Sequence, residues 1–313
     1  MQVLTIIIPV FLLICIGKIL KETHILSDDG IKQIKNMAVN VFLPVMAFDS
    51  LIHGSFSSDS IVLILIEIFI LFAAFFIGFP LKKFFDKSIC DYVPYALTTY
   101  EGGLFGWSLI AILVTQKNMF SIITMDSFSG IFVFTIMATG LKMLAGKKMS
   151  FKETAISIIT NPIIIAVILG FIGNAFQLGT KIDNSQFKGL YTTIINYLIQ
   201  PLSSLILICI GSGLVLDKNI LIKGLKLAFF RYLVQFILCA LILFIISKTI
   251  GLTPVLKISL LMYMSVPTSF MLSMYATDKK AIEFTSSYLS LQILISLLIF
   301  CAISVYSNLN YNF

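Results

Sequence analysis

Charged residues are scarce in this chain, and histidine, tryptophan and arginine are scarcer still. Only 12% of its 313 residues are charged, and it has two His, one Trp and one Arg, whereas 58% of the residues are hydrophobic. A mean hydropathy of +1.02 lies far outside the composition of soluble domains. The chain is therefore predicted to be an integral membrane protein in contact with the lipid bilayer.

The same scarcity argues against several kinds of functional site. The five cysteines include no C-x-x-C pair, and neither histidine has a partner at a ligand spacing, so we expect no metal site and no disulfide. The chain contains no G-x4-G-K-[ST] loop for nucleotide phosphates, and no cofactor is expected. The net charge of +7 is spread over short polar gaps rather than a basic stripe with aromatic residues, so nucleic acid is not an expected partner.

Ten apolar segments follow one another along the chain, and each approaches or exceeds the roughly 20 residues that a spanning helix needs. The sequence shows no strand alternation. It predicts an all-α integral membrane protein with ten transmembrane helices and no soluble domain. The predicted segments are 3–21, 31–53, 60–81, 91–115, 121–143, 154–176, 189–215, 222–247, 254–276 and 281–306.

The lysines predict how the chain is oriented in the bilayer. The odd-numbered gaps between segments carry 16 Lys residues, whereas the even-numbered gaps and the termini carry 5. Positively charged residues favour the cytoplasmic side of a membrane. The odd gaps are therefore predicted to be cytoplasmic, with both termini outside, in a multi-pass protein of the cytoplasmic (plasma) membrane.

A carboxylate interrupts the fourth segment, in the stretch 100–106 (YEGGLFG). A charged group at bilayer depth costs about 3 kcal/mol on insertion scales and is tolerated mainly where it faces protein or water. The glycines weaken the helix and let the backbone open, and unwound backbone at that depth must line a cavity or pack against protein. Glu101, Gly102 and Gly103 are therefore candidate binding residues.

The two halves of the chain repeat. Pro9 to Gly17 in the first segment matches Pro162 to Gly170 in the sixth, and Pro44 and Pro201 then follow in the second and seventh segments. Because five spans is an odd number, the second copy must enter the membrane from the opposite face. The pattern predicts an inverted-topology repeat, in which secondary transporters bind substrate at the bilayer midplane between broken helices.

In this register the glycine break of the fourth segment corresponds to Val266-Pro267-Thr268 in the ninth. Pro267 is expected to break the helix, because it lacks an N–H group and clashes with the preceding turn. Thr268 and Ser269 add hydroxyl groups beside any freed backbone groups. Broken helix ends offer N–H groups to an anion and carbonyl groups to a cation. The predicted substrate site therefore combines Glu101 with Pro267, Thr268 and Ser269.

The ordered set of these motifs resembles the auxin efflux carrier family, which includes bacterial malate and malonate permeases and plant auxin exporters. The resemblance rests on Pro9 to Gly17, Asn40 to Pro44, Glu101 to Leu109, Asn161-Pro162, and Val266-Pro267 followed by Tyr275. It implies two inverted five-helix repeats, with broken fourth and ninth helices that cross at a substrate site and move in an elevator-like manner. It also implies a small organic acid or an auxin-like carboxylate as substrate, and it adds Asn40 to the candidate site.

Two residues depart from the family pattern. Glu101 stands where the family typically has Asn, and Ser108 stands where it typically has Pro. An ionised carboxylate would repel an anionic substrate, and the sequence pattern shows no acidic partner for Glu101. Three roles for this residue stay open: a proton carrier, a counter-charge for Na⁺ or for a cationic or zwitterionic substrate, and a permanently protonated hydrogen-bond donor.

Other polar residues within the segments are assigned simpler roles. Glu67 lies less than two turns into the third segment and is expected near the outer interface. Arg231 is expected to extend its side chain to the inner interface. Gln235 and Gln292 are expected to form hydrogen bonds between helices, and Trp107 either closes the site or packs against neighbouring helices.

Together these features predict a permease, that is, a secondary active transporter of a small organic acid or related metabolite, coupled to protons through Glu101. An enzyme is not expected, because intramembrane catalysis needs a nucleophile with a base, paired acids or a His cluster. The alternatives are a Na⁺-coupled carrier of a cationic or zwitterionic substrate, a channel, and a membrane-embedded sensor. The repeats are expected at 1–146 and 154–313, joined by a cytoplasmic linker at 147–153, and a homodimer is left open.

The proton-carrier role predicts the behaviour of Glu101→Gln. This variant should fold normally, and its transport rate should no longer depend on pH, because glutamine cannot exchange a proton in this range. The rate is measured in proteoliposomes under imposed pH gradients, with Glu22→Gln in the first polar gap as the control. Uptake by Glu101→Gln that follows the pH gradient as in the wild type would show that Glu101 is not the carrier.

Overall fold

The computed structural model describes residues 2–87, 89–115, 118–144, 146, 150–214, 218–274 and 279–311. All regular structure in these ranges is helical. In chain order the main helices are α1 (Gln2–Glu22), α2 (Asp28–His53), α3 (Ser58–Leu81), α4 (Val93–Thr98), α5 (Gly102–Val114), α6 (Phe120–Leu144), α7 (Phe151–Ile159), α8 (Pro162–Ala175), α9 (Leu178–Asp183), α10 (Lys188–Gly213), α11 (Lys218–Thr249), α12 (Pro254–Tyr263), α13 (Met271–Met274) and α14 (Lys279–Asn310).

Seven of the described helices are long and apolar enough to cross a membrane, and two bent pairs raise the number of candidate spans to nine. The pair at the fourth predicted segment bends by 43°, and the pair α7–α8 bends by 60°. The all-helical membrane class is thus confirmed for the described residues. The ninth predicted segment, 254–276, is not one continuous helix, because α12 ends at Tyr263 and the short α13 follows at Met271. The count of ten spans stays a prediction.

The predicted linker between the two repeats is only partly described. Residues 147–149 lie outside the described ranges, and helix α7 already begins at Phe151, so the end of the predicted linker 147–153 is helical. Tyr275, which contributes to the family resemblance, also lies outside the described residues.

The spanning helices pack into two groups. In the first group, α1 packs against α10 and α2 packs against α8. In the second group, α3 packs against α4 and α6, α11 packs against α14, and α12 packs against α5. We call α1, α2, α8 and α10 the first bundle, and α3–α6, α11, α12 and α14 the second bundle.

Within the first bundle, α1 and α10 approach each other closely at two glycines. A Cβ atom at Gly211 would collide with the backbone of Ile14, and a Cβ atom at Gly17 would collide with the backbone of Ile208. Small residues permit this close approach of membrane helices, and the resulting van der Waals contact stabilises them where the hydrophobic effect does not. The two glycines therefore fix the spacing of α1 and α10.

This packing predicts that Gly211→Ala destabilises the protein by about 1–3 kcal/mol, the usual cost of overpacking. The matched control is Gly213→Ala in the same helix, because a Cβ atom at Gly213 would meet nothing within 4 Å. Thermal unfolding of the purified proteins in detergent measures the effect. Equal melting temperatures for the two variants would contradict the close contact between α1 and α10.

Candidate functional site

The chain is non-helical at both places where the sequence predicts a break. Residues 99–101 separate α4 from α5, and residues 264–270 separate α12 from α13. At the first break, Glu101 is followed by two glycines, which are weak helix formers. At the second, Pro267 lacks the N–H group that a helix would use. Each break leaves backbone groups without helical partners, which must be satisfied in the protein interior.

The two breaks are in direct contact with each other. The Glu101 N–H donates to the Pro267 carbonyl over 2.8 Å. The hydroxyl groups of Thr99 and Thr268 lie 2.9 Å apart, and the Ser269 N–H donates to the Thr99 hydroxyl over 3.3 Å. The broken segments therefore satisfy part of each other's polar backbone where they cross.

Arg231 of α11 binds carbonyl groups from both breaks. Its guanidinium group donates to the carbonyl of Ala96 over 2.9 Å, to that of Thr99 over 2.9 Å and to that of Val266 over 3.1 Å. It also lies 5.3 Å from the centre of the Tyr100 ring, within cation–π range. Arg231 is 0% exposed, so the prediction that it reaches the inner interface is wrong. The breaks leave carbonyl groups without helical partners, and these groups accept hydrogen bonds from Arg231, which explains why this cation can be buried.

Two glutamines complete the hydrogen bonding around the breaks. The Gln292 side-chain oxygen accepts from the Thr268 N–H over 3.0 Å. The Gln235 side-chain amide donates to the Leu97 carbonyl over 2.9 Å, and its oxygen accepts from the Tyr100 hydroxyl. Gln235 thus forms a hydrogen bond between helices α11 and α4, as the sequence predicts, whereas Gln292 connects α14 to the non-helical break 264–270.

A cavity of about 300 Å³ lies against the crossing. Both bundles contribute to its wall, since α2 and α8 supply residues on one side and α5, α6 and the break 264–270 supply residues on the other. Its polar lining includes Glu101, Asp126 and Ser269, and no Lys, Arg or His lines it among the described residues. The full lining is Val39, Leu43, Tyr100, Glu101, Gly102, Gly103, Leu104, Trp107, Asp126, Ser127, Ser129, Gly130, Val133, Phe134, Asn161, Ile163, Ile164, Val167, Ser269, Phe270 and Met271.

The Glu101 carboxylate faces this cavity and the second break at once. Its Oε2 atom accepts from the Phe270 N–H over 2.8 Å, and the Ser269 hydroxyl is a further donor. Lys35 of α2 attracts it electrostatically, and the Lys35 Nζ atom lies 5.3 Å from the centre of the Phe270 ring. Glu101 is thus a carboxylate held by donors from the partner break and open to a ligand in the cavity.

Sequence reasoning overlooked Asp126 and the contact of Glu67 with the same tyrosine. Asp126 lines the cavity, and its Oδ1 atom forms a hydrogen bond with the Tyr263 hydroxyl. Tyr263 also lies 2.9 Å from the Oε1 atom of Glu67, which is 0% exposed. Glu67 is therefore buried in the protein interior and in contact with the same tyrosine, and its expected depth near the outer interface stays a prediction. The rule that identified Glu101, a carboxylate within an apolar segment, also applies to Asp126.

The predicted site residues separate into three groups. Glu101, Gly102, Gly103 and Ser269 line the cavity. Thr268 is buried, and Pro267 contributes its carbonyl, so these two residues join the breaks and do not line the cavity.

Asn40, the third group, lies away from this cavity. It is exposed, and its side-chain amide donates to the Asn36 carbonyl over 2.7 Å in the same helix. It sits in a π-helical turn, residues 38–42, and the cavity is instead lined by the adjacent Val39. The Asn40 side chain therefore forms a hydrogen bond with the backbone of its own helix and does not line the cavity.

A second, larger cavity of about 600 Å³ lies beside the first. Its lining includes Lys32 and Lys35 of α2. Val39, Leu104 and Phe270 line both cavities, so these three side chains form the wall between them. Lys35 contributes positive charge on one side of this wall, and Glu101 contributes a carboxylate on the other.

Residues 2–305 match the family model described as membrane transport protein. The chain belongs to this family. The assignment confirms the resemblance to auxin efflux carriers that the motifs indicate, and it makes the chain a multi-pass membrane transporter with a small-molecule substrate. Members of this family are transporters rather than enzymes. Comparison with curated proteins found no match.

The position of Arg231 predicts a specific loss of stability. Arg231→Lys keeps the positive charge, but a lysine ammonium group cannot reproduce the planar fork that bridges three carbonyls. We expect a loss of about 1–3 kcal/mol, because buried carbonyls are left without donors. Thermal unfolding is compared with that of Lys248→Gln, which alters an exposed cation of the same helix. A melting temperature equal to that of the control would contradict the bridging role.

Proposed function

We propose that this protein is a secondary active transporter that moves a small organic acid or related metabolite across the plasma membrane, coupled to protons through Glu101. The observation that carries the proposal is the hydrogen-bonded crossing of two broken segments beside a cavity with an available carboxylate. Broken helices that meet at an internal site are typical of secondary transporters. The proposed substrate-binding residues are Glu101, Gly102, Gly103 and Ser269.

The position of the cavity between the two bundles supports an elevator-like cycle. Val39 and Val167 of the first bundle face it from one side, whereas Glu101 and Asp126 belong to the second bundle. Sliding of the second bundle along the first would carry the crossing and its ligand together. The close contact of α1 with α10 gives the first bundle the rigidity that a fixed partner needs.

The packing pattern also supports the inverted repeat. In the proposed register, the first and sixth segments are equivalent, and so are the second and seventh. The contact of α1 with α10 joins the first segment to the seventh, and the contact of α8 with α2 joins the sixth segment to the second. In this register the two contacts are equivalent. The contacts of α3 with α6 and of α11 with α14 correspond in the same way. We therefore retain two repeats, 1–146 and 154–313, as part of the proposal.

The two cavities suggest which side of the membrane is open. The larger cavity is lined by Lys32 and Lys35, which belong to the predicted cytoplasmic gap. In the proposed orientation, with both termini outside, this cavity is a cytoplasmic vestibule that leads to the wall formed by Val39, Leu104 and Phe270. A wall of this kind between vestibule and site favours a carrier over a channel.

The charge of the cavity supports proton coupling. Two carboxyl groups line it, and no cationic side chain does so among the described residues. An organic anion would be repelled by two ionised carboxylates, and its binding therefore favours their protonated forms. Anion binding and proton uptake are then linked, which is the requirement for proton symport.

The same charge supports a second candidate, a carrier of a cationic or zwitterionic substrate, with Na⁺ as the coupling ion. Here the carboxylates of Glu101 and Asp126 stay ionised and bind the positive group directly. The two candidates differ in the sign of the proton change, because an anionic substrate causes proton uptake and a cation causes proton release.

A counterflow experiment tests the proposal. Proteoliposomes are loaded with unlabelled malate, and the entry of labelled malate is followed, with amino acids and amines tested in parallel because the substrate class is open. A carrier accumulates label transiently above equilibrium, whereas a channel only equilibrates it. Protein-free liposomes are the control. Equilibration without accumulation for every compound tested would contradict the carrier.

The pH change of a weakly buffered protein solution then distinguishes the two candidates. A compound that gives counterflow is added at constant ionic strength. We expect the pH to rise for an acid, since the protein takes up protons, and the rise should be smaller in Glu101→Gln than in Glu22→Gln. A fall in pH would instead favour the cationic or zwitterionic substrate.

A further inference from the structure

Three buried side chains form a connected group behind the cavity. Glu67 of α3 and Tyr263 of α12 are both 0% exposed, and Asp126 of α6 is 8% exposed. The Tyr263 hydroxyl lies 2.9 Å from Glu67 Oε1 and within hydrogen-bonding distance of Asp126 Oδ1. We call these residues the Glu67–Tyr263–Asp126 group. Asp126 is its cavity-facing end, and Glu67 is its closed end.

A count of hydrogens shows that one of the two carboxyl groups in this group must be protonated. A phenol carries one hydrogen, so the Tyr263 hydroxyl can donate to only one of the two carboxyl groups. The second contact requires the other carboxyl group to carry a proton and to donate to the phenol oxygen. Two ionised carboxylates would leave one contact as a repulsion between acceptor oxygens.

The surroundings place that proton on Glu67. Its Oε2 atom is buried and has no hydrogen-bond partner, which would be unfavourable for an ionised carboxylate. Asp126, in contrast, has further donors close by, since the Ser129 hydroxyl interacts with it. The resulting arrangement is Glu67 donating to Tyr263 and Tyr263 donating to an ionised Asp126.

Trp107 is a further donor beside Asp126. It lines the cavity and is 2% exposed. Its indole N–H interacts with the Asp126 carboxyl group, as the Ser129 hydroxyl does. Donors on this side favour the ionised form of Asp126 over that of Glu67, whose Oε2 atom has no hydrogen-bond partner.

Few other charged or titratable groups face this group. The Tyr100 ring packs at a tilt against that of Tyr263, with ring centres 4.8 Å apart, and Arg231 lies against the Tyr100 ring. Cys239 of α11 lies near Tyr100, and Glu101 interacts with Asp126 across the cavity. The hydrogen bonds of Arg231 go to three carbonyl groups and its guanidinium lies against the Tyr100 ring, and among the described residues it forms no ion pair with Glu67.

We infer that Glu67, Tyr263 and Asp126 form a second proton-binding site, which holds one proton shared between two carboxyl groups. The proton reaches the cavity by a concerted transfer: Glu67 gives its proton to the phenol oxygen while Tyr263 gives its own hydrogen to Asp126. Glu67 ends ionised, Asp126 ends neutral, and the phenol is unchanged. The use of this proton in the transport cycle rests on the proposed function, whereas the site itself rests on the hydrogen-bond count.

Infrared spectroscopy of the purified protein tests the site without any substrate. The C=O stretch of protonated carboxyl groups is measured at neutral pH in the Glu101→Gln background, so that Glu101 does not contribute. We expect a band in Glu101→Gln and its loss in Glu101→Gln/Glu67→Gln, because the amide introduced by Glu67→Gln can donate to Tyr263 without an added proton. Glu101→Gln/Asp126→Asn should shift the band, because the introduced amide can donate to the phenol oxygen and Tyr263 can then donate to Glu67; this variant serves if the first double variant does not fold. Glu101→Gln/Glu22→Gln is the control and should keep it.

Three results would overturn the inference. The first is the absence of a protonated carboxyl band in Glu101→Gln, and the second is its unchanged persistence in both double variants. The third is loss of the band when K⁺ in the buffer is replaced by Na⁺, which would identify a sodium site instead. Because no transport is measured, a failure here is distinguishable from a failure of counterflow or of the pH dependence assigned to Glu101.

Discussion

The arrangement of the site depends on one buried cation. A helix that breaks inside a membrane exposes carbonyl groups that neither lipid nor its own turns can satisfy. Arg231 binds three of them, two from α4 and its break and one from the break after α12. The two breaks are therefore fixed to each other through a third helix, α11. Any motion that carries one break must carry the other, so the crossing acts as one rigid unit.

The charge of the cavity follows from this arrangement. The only Arg of the chain is used on carbonyl groups, and the carboxyl groups of Glu101 and Asp126 are left facing the cavity without a cationic side chain in its described lining. A ligand must therefore either bring positive charge or arrive with protons. This requirement applies to both candidate substrates, and it makes proton exchange a central property of the proposed transport.

Local sequence signals predicted the helical class and the positions of the breaks, because hydropathy, Gly and Pro act on the nearest turns. They did not predict where side chains point. Arg231 was expected at the inner interface because its side chain was placed from distance along a segment, whereas burial depends on which face of the helix meets other helices. Asn40 was carried over from the family pattern, but a π-helical turn in α2 places Val39 at the cavity instead. The pairing of Asp126 with Tyr263 joins residues 137 positions apart, which no local pattern encodes.

Phe270 gives the wall between the cavities a property of its own. Its N–H donates to the Glu101 carboxylate, and Phe270 lines both this cavity and the larger one that Lys35 lines. A cation bound at Glu101 Oε2 would compete with that N–H for the same oxygen, and a proton there would weaken its hold on the N–H. Loading the carboxylate would therefore weaken the hydrogen bond that holds the Phe270 backbone, so the occupancy of Glu101 and the position of a residue that lines both cavities are linked through one hydrogen bond.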